Sequence, residues 1–127
     1  MLGESGDFQK ATLDKITAMF KNNSASPPEF VEKEFENKGF YETFLLSKIF
    51  YRGEEIGIYL YEDGAQFSGD KVDRRYEKYD YDSLTDLGET FVKTLEDYLF
   101  YPERYTPNRT VFMIFGDFLR SVFKGRT

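Results

Sequence analysis

Carboxylates are the reactive groups this sequence holds in quantity: 23 Asp and Glu against 17 Lys and Arg, with no His and no Cys. Paired carboxylates can do acid/base work or hold Mg²⁺ or Ca²⁺. The nearest candidates for such work are Asp80 with Asp82 and Asp70 with Asp73. Neither has the flanks of a calcium loop, which needs acids at alternate positions, then a glycine and a terminal Glu. The absence of His removes the commonest general base, the usual transition-metal ligand and every Ser-His or Cys-His arrangement. The absence of Cys removes thiolate nucleophiles, disulfides and zinc-cysteine sites. Ser47, Ser68 and Ser83 therefore have no histidine to activate them. No glycine motif cradles a phosphate, because Gly53 and Gly64 fall in turns and Gly57 within a strand. The sequence predicts a non-catalytic protein with no catalytic residues, no cofactor and no metal ligands.

A second pattern is aromatic. The chain carries 14 Phe and 10 Tyr but no Trp. Phe enters a core without polar cost, whereas each Tyr hydroxyl needs a partner or water, so many tyrosines should keep one edge wet. Tyr59, Tyr61, Tyr76, Tyr79 and Tyr81 are interleaved with Asp63, Asp70, Asp73, Glu77 and Asp80. Tyrosine gives contact area at low entropy cost, and carboxylates pair with Arg or Lys and steer a positively charged protein into place. These ten residues are the predicted partner-binding surface. A wet sheet face beside a loop would have the same composition.

Charge is distributed unevenly. The formal net charge is -6, which disfavours a nucleic-acid partner. Residues 62–86 hold eight acids and four bases, whereas from Arg104 onward five bases (Arg104, Arg109, Arg120, Lys124, Arg126) face one acid, Asp117. The two regions either complement each other on a solvated surface, or the acidic one faces a cationic partner.

The elements that must position these groups follow from periodicity. Asp7 or Ser5 is the predicted cap of a first helix with Phe8, Leu13, Ile16, Met19 and Phe20 near helical spacing, stopping at Asn22-Asn23-Ser24-Ala25. Ser26-Pro27-Pro28-Glu29 predicts the start of a second helix that carries Phe30, Val31 and Phe35 and ends at Gly39. From Phe40 the period becomes two. Tyr41 to Tyr51 reads as a long strand, Arg52-Gly53-Glu54-Glu55 as a turn, and Ile56, Ile58 and Leu60 alternate with Gly57, Tyr59 and Tyr61. Glu62-Asp63-Gly64 closes the next hairpin, the Asp-Gly pair being suited to positive φ, and Ala65 to Ser68 starts a third strand. Gly69 to Asp82 is irregular, with room for a short edge strand. Asp82 or Ser83 caps a third helix bearing Leu84, Leu87, Phe91, Leu95, Tyr98 and Leu99. Asn108 caps a final helix whose wide apolar stripe offers either core or a homodimer face.

The predicted fold is α+β: one domain over residues 1–127, an antiparallel meander of three to four strands spanning Tyr41 to Ser68, flanked by two N-terminal and two C-terminal helices. No segment approaches the roughly 20 apolar residues of a membrane helix. Met1 to Asp7 has neither the basic start nor the apolar stretch of a signal peptide, so a cytoplasmic location is expected.

The strand and turn before a charged Tyr-rich segment (Tyr59 to Tyr81), followed by the helix start Asp82-Ser83-Leu84-Thr85-Asp86-Leu87, in an acidic chain without His or Cys, resemble immunity proteins of bacterial polymorphic toxin systems, the immunity protein 63 group above all. The resemblance covers Ile56 to Tyr98. It implies stoichiometric inhibition of a toxin domain, with no catalysis and no cofactor, and assigns no role to any single residue. Two other classes share the physical profile: a phage inhibitor that presents acids and tyrosines in place of DNA, and a module that stacks a planar small molecule on the Tyr-bearing sheet face.

Overall fold

The computed structural model describes residues 3–37 and 39–105. Their fold is α+β. Helix α1 (Gly3–Asn22) leads into strands β1 (Val31–Asn37), β2 (Phe40–Tyr51), β3 (Glu54–Tyr61), β4 (Gly64–Ser68) and β5 (Asp73–Glu77), followed by helix α2 (Leu84–Phe100). The five strands form one antiparallel sheet in chain order, β1-β2-β3-β4-β5. Short 3-10 turns follow β5 (Lys78–Asp80) and α2 (Pro102–Arg104).

Period two divides the sheet into an inner and an outer face. Ile56, Ile58 and Leu60 of β3 point inward with Ala65 and Phe67 of β4, all buried, and register pairs Ile58 with Phe67 and Leu60 with Ala65. Against them α2 sets Leu87, Phe91, Leu95 and Leu99, and α1 sets Phe8, Ile16, Met19 and Phe20, making one shared core. Full burial of one such side chain is worth roughly 1.5–3 kcal/mol. The helices approach closely at Gly88, where a Cβ would stand 3.0 Å from the buried Thr12 hydroxyl.

The helix ends are well closed. Ser83 caps α2, its hydroxyl accepting from the Asp86 N–H at 3.1 Å, so of the two expected caps Ser83 acts and Asp82 is left exposed. At the end of α1, Ser24 adopts φ +59, its N–H donates to the Lys21 carbonyl, and the Ala25 N–H donates to that of Phe20. That is a Schellman closure, with Ser where Gly is usual.

Four expectations are corrected. The second helix is strand β1: Phe40 to Tyr51 is a 12-residue strand whose second edge needs partners for its backbone groups, and residues 31–37 supply them with Val31 opposite Leu46 and Phe35 opposite Glu42. The Pro-Pro-Glu start signal is local and loses to that pairing, and Gly39, at φ +87, serves the β1–β2 turn instead of a helix end. Ser5 and Asp7 lie inside α1, which starts at Gly3, because propagation costs little once a packed turn exists. The meander is longer than Tyr41 to Ser68: β1 joins one side, and on the other the short edge strand for which the irregular stretch has room is present as β5. In the β2–β3 hairpin Arg52 and Gly53 alone form the turn, both with positive φ, whereas no positive φ is found at Asp63 or Gly64. The final helix expected from Asn108, and any homodimer face on it, lies outside the described residues.

Candidate partner-binding face

The outer face of the sheet carries an aromatic ladder that runs across three strands. Phe35 of β1 meets Phe44 of β2 edge to face at 5.6 Å, Phe44 meets Tyr61 of β3 at 5.5 Å and Tyr59 at 6.1 Å, and Tyr59 stacks on Tyr61 at 6.3 Å with only 6° between ring planes. The ladder is open to solvent at its β1 end, where Val31 is 54% and Phe35 38% exposed. Both described helices pack on the opposite, inner face. Strand alternation supplies the ladder, and Gly57 gives it its shape: a Cβ there would meet the Tyr59 ring at 3.0 Å, so the phenol lies down over the glycine.

Polar groups fix the rings. The Tyr61 hydroxyl donates to Gln66 Oε1 at 3.3 Å, and Gln66 Nε2 donates to Asp73 at 2.9 Å, a chain across β3, β4 and β5. Burial raises the Tyr61 hydroxyl above the usual tyrosine range, partly offset by the charge of Arg75. Acids gather beyond the ladder at the β3–β4 turn and the end of β5. There the Tyr79 hydroxyl is raised by its hydrogen bond to Glu77 and by the charges of Glu77, Asp80 and Asp63. Asp63 faces Lys78 at 3.9 Å, both well exposed, a contact worth little by itself. A groove of about 340 Å³ lies here, lined among others by Phe35, Tyr61, Asp63, Arg75, Glu77 and Tyr79.

The structure thus brings together Tyr59, Tyr61, Asp63, Asp73, Glu77, Tyr79 and, at the margin, Asp80. It separates the other three. Tyr76 points into the core at 4% exposure, its ring 5.4 Å from Phe91, because it pairs with Ala65 on the inner face. Tyr81 packs behind it at 6.2 Å, and burial helps push its hydroxyl up to about 12. Asp70 sits in the β4–β5 connection at the opposite end of these strands, beside Lys71, whose N–H binds Glu54.

Sequence reasoning missed Phe35 and Phe44 as members of the face. The Pro-Pro-Glu start predicts a helix through Phe35, and the signal for its place on the sheet is the alternation of Val31, Lys33 and Phe35 with Glu32, Glu34 and Glu36. It also missed three cations, since the alternation puts Lys33, Lys48 and Arg75 on this outer face beside Glu42, Asp73 and Glu77. The face is aromatic with mixed charge: Asp63, Glu77 and Asp80 gather at the β3–β4 turn end, while Asp73 and Glu55 lie toward the other end of the strands.

Among the described residues no three Asp or Glu side chains converge as metal ligands would, and no helix is long and apolar enough to cross a membrane. No protein-family model matches the chain, and neither the curated proteins nor the solved structures include a match.

Proposed function

We propose that this is a non-catalytic inhibitor of the immunity-protein kind, cytoplasmic, that binds and blocks a cationic toxin domain. The observation that supports it is the stacked Tyr59–Tyr61 pair, continuous with Phe44 and Phe35 on the side of the sheet that neither described helix covers and ending in Asp63, Glu77 and Tyr79. The ladder is half-buried at Phe44, Tyr59 and Tyr61 and exposed at Phe35, and a contiguous aromatic patch that keeps such access to solvent marks an interaction site more often than an ordinary wet sheet face. Rings supply desolvated anchors, and the acids at one end steer a positive partner and orient it. A nuclease domain fits this chemistry, because it must keep a positive groove for its own substrate. Lys33, Lys48 and Arg75 interrupt the face and weigh against mimicry of a continuous DNA charge.

The test is capture from the native host, identification of the partner, and an inhibition assay of that partner at stoichiometric ratios. A basic partner whose activity is suppressed by the wild type but not by a Tyr59→Ala/Tyr61→Ala double variant supports the proposal. An acidic partner, or unchanged binding by that variant, refutes it.

The groove favours one second reading, a small-molecule module. A planar ligand could lie between Phe35 and Tyr61 with Arg75 and Glu77 to read its polar edge. A thermal-shift screen separates the two: a ligand at 100 times its dissociation constant adds roughly 2.7 kcal/mol.

A further inference from the structure

We infer that the edge of β1 turned away from β2 accepts an added strand from the partner, and that this strand carries basic side chains at alternate positions. β1 pairs with β2 only, so among the described residues its second edge has no strand beside it. An open edge is a template for an extended chain, with main-chain bonds giving affinity and alternate side chains giving specificity.

The side chains along this edge select the occupant. Glu32, Glu34 and Glu36, opposite Leu45, Thr43 and Tyr41, all point to one face and all are exposed. Val31 and Phe35 point to the other, where they begin the aromatic ladder. A second copy of this chain is a poor occupant, because a two-fold antiparallel pairing of two β1 edges sets glutamate against glutamate. The chain's own C-terminal region is also a poor one, since Arg109, Arg120, Lys124 and Arg126 contain no three bases at alternate positions. A strand alternating basic and apolar residues satisfies both faces: its cations meet the three glutamates and its apolar side chains extend the ladder beyond Phe35. The inference rests on the proposed function only in taking the partner to be cationic, and it adds where and in what conformation that partner is held.

The experiment uses the full chain and a labelled nine-residue peptide alternating Lys and Val, read by fluorescence anisotropy. A peptide of the same composition with its lysines and valines in two blocks is expected to bind about tenfold more weakly, as is the alternating peptide to the E32Q/E34Q/E36Q variant, from three cross-strand charge pairs. Methylating the backbone amides of the lysines in one peptide and of the valines in another leaves the protein untouched and should abolish binding by the peptide whose methylated amides face β1. Equal binding of the block peptide, or indifference to amide methylation, overturns the inference. If a basic partner captured from the host binds wild type and the triple variant alike, the edge is not its site, although the inhibitor reading stands. If no basic partner is captured yet the peptide binds in the alternating manner, the inhibitor reading falls and the edge chemistry stands.

Discussion

The Tyr98 hydroxyl donates to Glu54 Oε1 at 2.7 Å, joining α2 to the start of β3 across 44 residues of chain. Glu54 is buried and its other oxygen accepts from the Lys71 N–H at 2.8 Å, so one carboxylate ties helix, strand and the β4–β5 connection together. Burial alone would raise its pKa. The hydrogen bonds from Tyr98 and Lys71 and the Lys71 charge outweigh burial, and the carboxyl lies below its ordinary value. Burial and the same carboxylate hold the Tyr98 hydroxyl well above the usual tyrosine range.

Stability should therefore fall at both ends of the pH scale. A lowered carboxyl stabilises the fold above the ordinary carboxylate range and loses that contribution as pH falls through its folded value. A raised phenol stabilises below its ordinary value of 10.0 and loses its contribution as pH climbs beyond that. Urea midpoints at pH 3, 7 and 11 are the measurement, with the maximum expected at 7. Tyr98→Phe should cost about 1–3 kcal/mol at neutral pH by removing a donor from a buried carboxylate, and should flatten the alkaline loss.

Asn23 is expected to be as sensitive. Its Nδ2 donates to the Met19 carbonyl at 2.8 Å and to Glu96 at 2.9 Å, and its Oδ1 accepts from the Tyr101 hydroxyl at 2.9 Å. Asn23→Ala should lose about 2 kcal/mol, a drop in Tm of several degrees by calorimetry.

Two glycines separate folding from binding. A Cβ at Gly64 would stand 2.7 Å from the Tyr76 carbonyl, a backbone atom that cannot swing away. Gly64→Ala should destabilise by about 1–3 kcal/mol. At Gly57 the obstacle is the Tyr59 ring, which can lift. Gly57→Ala should leave the urea midpoint nearly unchanged and weaken partner binding, measured on the captured complex.

On that complex, Tyr61→Ala should cost about 2 kcal/mol, mainly through faster dissociation, because it removes a ring at the centre of the ladder. Asp63→Asn, at the exposed turn, should slow association and reduce its salt dependence while leaving dissociation nearly unchanged. Surface plasmon resonance at two ionic strengths resolves both.

The residues alone determined the α+β class, the two-residue rhythm from Phe40 to Leu60, the Ile56-Ile58-Leu60 core stripe and the stop of α1 at Asn23-Ser24, since each rests on neighbours within one element. Ser83 was legible as one of two caps for the same reason. What only the tertiary structure decided involves partners distant in sequence. Residues 31–37 have good helix formers in Glu32, Lys33 and Glu34, and they are strand because β2 offers them an edge. Tyr76 and Tyr79 lie three apart in one Tyr-rich run, yet one is core and the other is 78% exposed, because β5 pairs with β4 and turns Tyr76 toward Phe91. Glu54 read as a turn residue until Tyr98 and Lys71 came to it from elsewhere in the chain. Local pattern sets which elements can form, and long-range pairing, invisible to any window of neighbours, sets which face each side chain serves.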